Sequence, residues 1–157
     1  MRNADIIALD RQRRPVLVAE VKARSLSPTG LRMAIEQLTT ADPGIRFGMV
    51  VDYDLIRILN LGADSASAPL LTLKTVDILR HYDPEFTGAT TESGIRVFHD
   101  YLGALVESWL RDLAYRWKSK PSESPPALKE VAEIGLLPLL EGGTTLSEVR
   151  VGNDLVC

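Results

Sequence analysis

The sequence predicts an α/β domain with a mixed central sheet flanked by helices, and three observations carry that expectation. Two short apolar, β-branched runs surround a polar stretch near the start of the chain. A helical pattern separates them from two further strand-like runs. A long amphipathic helix then follows a loop-rich middle. At 157 residues and 45% hydrophobic content, one domain with a substantial core is expected.

The first run covers residues 4–9 (Ala-Asp-Ile-Ile-Ala-Leu) and the second residues 16–21 (Val-Leu-Val-Ala-Glu-Val), with the polar segment 10–15 ending in Pro15 between them. They read as a β-hairpin. Their nearly continuous hydrophobicity argues that both sheet faces are covered. Residues 25–30 form a loop, with Pro28 near a helix start. Leu31, Ile35 and Leu38 then recur at helical spacing until Asp42-Pro43-Gly44 stops the helix, giving a helix over 31–41. Residues 47–51 read as a third strand, Tyr53-Asp54 as a turn and 55–59 as a fourth strand. A loop follows at 62–69, then a short helix at 75–80 and another loop at 83–94. The strongest helix is predicted over 95–118, where Phe98, Leu102, Leu105, Trp109 and Leu113 form an apolar stripe. Residues 118–126, rich in Ser and Pro, read as a connector. A helix over 127–134 and a strand at 148–151 complete the expectation. The division expected is a domain over 1–118 and an extension over 119–157 packing on it.

The net charge of −3, from 18 basic and 21 acidic residues, excludes a globally basic nucleic-acid wrapper but leaves room for a local basic patch. Cys157 is the only cysteine, so an intrachain disulfide and a Cys-based zinc site are both excluded. His81 and His99 are the only histidines, too few for a His-rich metal site. Any metal must therefore be held by oxygen ligands, which favours Mg²⁺, Mn²⁺ or Ca²⁺. No apolar leader or membrane-length run is seen, so a cytoplasmic protein without a membrane partner is expected.

The chemistry-bearing pattern is Asp5 at the start of one strand and Glu20-Val21-Lys22 at the end of the next. An antiparallel hairpin brings those two ends together, and residues two apart on a strand share a face. Two carboxylates and an ammonium among apolar strands are costly without a use. A divalent cation bridging Asp5 and Glu20 supplies one, with Lys22 placed to orient water or neutralise developing charge.

This arrangement resembles the PD-(D/E)XK nuclease superfamily, and within it the N-terminal nuclease domain of type I restriction motor subunits. The resembling stretch runs over residues 4–60 and includes Asp5, Glu20 and Lys22. The helix bearing Gln37 and the strand Phe-Gly-Met-Val-Val at 47–51 follow where the family places its next helix and strand. The resemblance implies a restriction-endonuclease-like fold and a Mg²⁺-dependent (or Mn²⁺-dependent) nuclease acting on DNA phosphodiesters. Asp5, Glu20 and the Val21 carbonyl would be metal ligands, Lys22 the catalytic lysine and Gln37 a supporting catalytic residue. The alternatives are a catalytically inactive nuclease-fold module binding DNA or a protein, and a scaffold whose long Trp-bearing helix forms a homodimer face.

Each residue also has a plainer reading. Glu20 and Lys22 could be solubilising charges at a strand edge. Asp10 is simplest as a turn residue. Arg11, Arg13 and Arg14 are simplest as a solvated turn, Arg14 being a phosphate candidate if that turn faces the nucleic acid. Arg24 is the better phosphate candidate by position. His81 and His99 are read as structural and Trp109 as core, while Trp117 fits core or surface. Glu107 is read as a solvated helix residue, the alternative being that it supplies the acidic residue the family carries on a helix ahead of its Asp.

Overall fold

The first two apolar runs form the expected hairpin. Strand β1 spans Ile6–Leu9 and β2 spans Pro15–Val21. They pair antiparallel with Ile6 opposite Ala19 and Ile7 opposite Val18, and a register shift falls between Ala8 and Leu9. The turn is closed by Asp10. Its Oδ1 accepts the N–H groups of Gln12 (2.8 Å) and Arg14 (2.9 Å), and its Oδ2 accepts Arg14 Nε (3.0 Å). Arg14's backbone N–H, with its guanidinium and the Gln12 N–H, holds the Asp10 carboxyl below its ordinary pKa. The plain reading of Asp10 as a turn residue is therefore the observed one.

In this computed structural model, residues 4–41, 44–61, 68–86, 99–115 and 124–147 are described. Helix α1 (Pro28–Ala41) carries the chain from β2 across to β3 (Phe47–Val51), which pairs parallel with β2. Pro28 suits the first helical turn, where its missing N–H costs nothing. Strand β4 (Leu55–Asn60) runs antiparallel to β3, and β5 (Leu71–Lys74) antiparallel to β4. Helix α2 (Thr75–Leu79) follows directly. After it come α3 (His99–Leu113), α4 (Leu128–Glu133), α5 (Leu137–Leu140) and β6 (Thr144–Ser147). The sheet order is β5-β4-β3-β2-β1-β6, so β6 closes the β1 edge in antiparallel pairing. The fold class is thus mixed α/β, a six-stranded mixed sheet with helices on both faces.

Two apolar layers explain the unbroken hydrophobicity of β1 to β3. Ile7, Leu9, Val18, Val50 and Leu59 meet Ala34, Ile35 and Leu38 of α1. On the other face Ile6, Leu17, Ala19, Phe47 and Met49 meet α3 and the C-terminal helices. Leu102, Leu105, Trp109 and Leu113 of the predicted stripe are all buried, as a helix laid on a sheet requires. Phe98 and Trp117 lie outside the described residues.

Several elements differ from expectation. Helix α3 ends at Leu113, short of 118: the Tyr115 N–H turns to the Asp112 carbonyl (3.1 Å), and the Ala114 carbonyl accepts Gly142 N–H (2.8 Å). The last strand is Thr144–Ser147, and the expected strand at 148–151 lies outside the described residues. Strand β5 and helix α5 have no counterpart in the sequence expectation. The segment 124–147 is integral to the fold: β6 is a sheet strand, and Val131, Leu136 and Leu140 join the core. Trp109 Nε1 donates to the Pro126 carbonyl (3.0 Å), pinning the start of that segment.

Candidate active site at the open end of the hairpin

Asp5 sits at a bend just before β1, and its N–H donates to the Ala19 carbonyl (3.0 Å). The pairing of Ile6 with Ala19, continued by one residue, sets Asp5 beside Glu20. The Val21 N–H donates to Asp5 Oδ2 at 2.7 Å, fixing the carboxylate against the end of β2. Asp5 Oδ1 lies 3.2 Å from His99 Nε2, at the first turn of α3.

Glu20 shares the facing of Val18, towards α1, by strand alternation. It is 4% exposed, and its Oε2 lies 3.4 Å from Lys22 Nζ. Asp5 grips the strand end at Val21 and Lys22 meets Glu20 on that same strand end, while Glu20 lines neither of the cavities that Asp5 lines. Lys22 is held in turn by donating its N–H to the Val51 carbonyl (2.8 Å). Asp5, Val21, Lys22, Ala23, Arg24 and His99 line one open cavity of about 290 Å³. A second, of about 230 Å³, lies between α3 and the β1–β6 edge and is lined by Asp5, His99, Asp100 and Glu107 among others. The Asp5–His99 contact belongs to both walls.

A buried carboxylate absent from the sequence reading braces this end of the sheet. Asp52, 1% exposed, accepts the N–H groups of Asp54 and Leu55 (both 2.8 Å) through Oδ1. Its Oδ2 takes the Leu26 N–H (3.1 Å) and lies 3.4 Å from Arg57 Nη1. Holding Leu26 shapes the loop that follows Lys22, so Asp52 positions Lys22 and Arg24 indirectly.

The sequence reads His99 as structural, and the structure gives it a partner. Partial burial opposes its protonated form, but the Asp5 charge and the hydrogen bonds to Asp100 and Asp5 outweigh that and raise its pKa above the ordinary value. A raised folded-state pKa means stabilisation that is complete below the unfolded value of about 6.5 and is lost as pH climbs through the folded value. The gap in urea midpoint between wild type and His99→Gln should thus be widest near pH ~6 and close towards alkaline pH. A gap that grows with pH would show that the pair does not act this way.

Glu107 corrects another reading, because it is not a solvated helix residue. Its side chain is 12% exposed, and Oε2 accepts Thr145 Oγ1 (2.7 Å) and lies 3.3 Å from Arg111 Nη2. It faces the same cavity as Asp5 and ties α3 to β6.

Of the remaining candidates, Arg24 is exposed at the Asp5 cavity, as its position suggests. Gln37 is exposed on α1 and does not line either Asp5 cavity. Arg14 is at the other end of the hairpin, beyond the seven residues of β2 or roughly 23 Å at about 3.3 Å per residue. It belongs to the turn, as the sequence reading has it, and is remote from Arg24.

No family model, curated protein or solved structure matches this chain. The functional reading therefore rests on the site itself. Among the described residues no helix is long and apolar enough to cross a membrane.

Proposed function

We propose that the protein is a Mg²⁺- or Mn²⁺-dependent nuclease of restriction-endonuclease type that hydrolyses DNA phosphodiester bonds at the Asp5–Lys22 end of the hairpin. The observation that carries this reading is the fixing of Asp5 against the Glu20-Val21-Lys22 strand end, with Asp5, Lys22 and Arg24 lining one open cavity. The chain order supports it as well: an antiparallel hairpin, a crossover helix and a parallel third strand, in the order the resemblance implies.

The donor set fits a hard cation in type. Among the described residues no three His, Cys, Asp or Glu side chains are grouped to cage an ion. Mg²⁺ does not need such a cage, being commonly held by one or two carboxylates with substrate phosphate and water completing the shell. Asp5 and Glu20 would be its ligands, with the Val21 carbonyl as a third. When bound, the ion would supply Lewis-acid polarisation of the phosphoryl group and acidification of a water.

The chain's own residues do the rest. Lys22 presents its ammonium to the oxygen on which charge develops, and Arg24 at the cavity mouth takes a neighbouring phosphate. His99 holds Asp5 and must give up or share Oδ1 when the carboxylate ligates. Gln37 has no place in this scheme. The test is cleavage of plasmid and single-stranded DNA with and without Mg²⁺ or Mn²⁺, beside Lys22→Ala.

One observation favours a second reading, an inactive module of the same fold that binds DNA or a protein. The Asp5 oxygens are engaged by His99 and Val21, and Glu20 by Lys22, so both carboxylates have partners without a cation. Indifference of both cleavage and melting temperature to metal would select it.

A further inference from the structure

The turn end of the hairpin carries a cavity that the proposed chemistry does not use. Its volume is about 460 Å³, within the ~300–1,000 Å³ range of small-molecule sites. The floor is apolar, from Pro15, Val16, Ile45 and Leu139, and the polar wall is Arg14, Arg46 and Asp10. Asp10 grips Arg14 through Nε at 3.0 Å, which fixes the guanidinium plane and leaves the Nη edge for a second oxyanion. Arg46 is exposed, and its guanidinium carbon lies 5.0 Å from the Phe47 ring centroid, so it too has a defined place. Two oriented guanidinium groups over an apolar floor suit a planar ring bearing a phosphate, because Arg pairs with phosphate and stacks on bases.

The turn around the cavity is basic. Arg11 and Arg13 are exposed beside Arg14, and Asp10 is the one carboxylate among residues 10–14. Arg13 adopts φ 63°, a left-handed conformation that Gly or Asn takes far more readily. That conformation belongs to the tight turn closed by Arg13 N–H on the Asp10 carbonyl (2.9 Å).

We infer that this cavity is a nucleoside-phosphate site, with Arg14 and Arg46 taking the phosphate and the Val16–Ile45–Leu139 floor taking the base. The ligand is a free nucleotide or one nucleotide of a single strand. The inference does not depend on the nuclease reading, because the two sites lie at opposite ends of the hairpin.

The test is calorimetric titration of the full chain in EDTA, which silences the metal site. The probes are AMP, adenosine, inorganic phosphate and a short 5′-phosphorylated single-stranded oligonucleotide. AMP should bind more tightly than phosphate or adenosine. Arg14→Gln and Arg46→Ala should each weaken binding by about tenfold or more, the loss expected for one charge-assisted hydrogen-bonding group. Arg46→Lys, which keeps the charge but not the planar fork, should fall between wild type and Arg46→Ala. Circular dichroism on each variant checks that the fold is retained. Binding of the oligonucleotide as well as AMP, with the same variant dependence, identifies a strand as the source, and binding of AMP alone identifies a free nucleotide. The inference is overturned if no probe binds, if phosphate binds as tightly as AMP, or if binding survives in Arg14→Gln/Arg46→Ala. It is equally overturned if Arg24→Ala is the variant that abolishes binding, which would move the ligand to the Asp5 cavity.

Discussion

Lys22→Ala is expected to lower the initial rate of metal-dependent DNA cleavage by about 10²–10³-fold, the usual loss when one preorganised donor to a developing oxyanion is removed. Lys22 can act this way because its backbone is clamped to Val51 and its side chain is 28% exposed, partly in the protein and partly at the cavity. The same substitution takes the ammonium from beside Glu20, a carboxylate that is 4% exposed. A drop in melting temperature should therefore accompany the loss of activity. Lys22→Arg separates the two effects, because it keeps a cation near Glu20 while displacing the donor from its position. Its melting temperature should stay near that of wild type while the rate remains low. Activity retained in Lys22→Ala would remove Lys22 from the chemistry.

Gly143→Ala is expected to destabilise the protein by at least about 3 kcal/mol, or roughly 6–12 °C in melting temperature for a chain of this size. A Cβ built on Gly143 would lie 1.8 Å from the Leu9 carbonyl oxygen, 2.9 Å from its carbon and 3.1 Å from Asp10 Cα. These are backbone atoms of the hairpin and cannot step aside as a side-chain tip can. Strand β6 would have to leave its register, in which Leu9 faces Thr144, and Thr145 would lose its place between Glu107 and Arg111. Gly103→Ala is the contrasting case. Nothing lies within 4 Å of the position its methyl group would take, so alanine should stabilise α3 by up to about 1 kcal/mol. Equal thermal stability of the two alanine variants would contradict the close approach of β6 to the turn.

The hairpin, α1, β3 and β4 are legible in the sequence because their signals are local. Apolar runs bounded by Asp10 and Pro15, a stripe of Leu31, Ile35 and Leu38, and the Asp42-Pro43-Gly44 stop all lie within a few residues of what they determine. Strand β6 carries no such signal: Thr-Thr-Leu-Ser is short and polar, and becomes a strand only by pairing with β1 from the far end of the chain. Strand β5 is equally weak, its side chains alternating between partly buried and exposed at the opposite edge.

The same distinction divides the site. Asp5 and Glu20-Val21-Lys22 can be brought together from sequence because a hairpin folds its own ends together. The bend at Asp5, which lets its carboxylate meet His99, has no local signal, and neither has the arrival of α3 over that end. Asp52 leaves a readable trace, an acidic residue directly after the apolar run 47–51 and two before Asp54, the spacing of a side chain that caps its own turn.

The central claim is that Asp5 and Glu20 hold a divalent cation, and the most direct measurement is the melting temperature with and without Mg²⁺ or Mn²⁺ for wild type, Asp5→Asn and Glu20→Gln. An ion at tenfold its Kd stabilises the folded state by about 1.4 kcal/mol, or roughly 3–6 °C here. The account predicts that rise in wild type and its loss in both variants. A wild-type melting temperature unmoved by tens of millimolar metal, or a rise that survives in both variants, would contradict it.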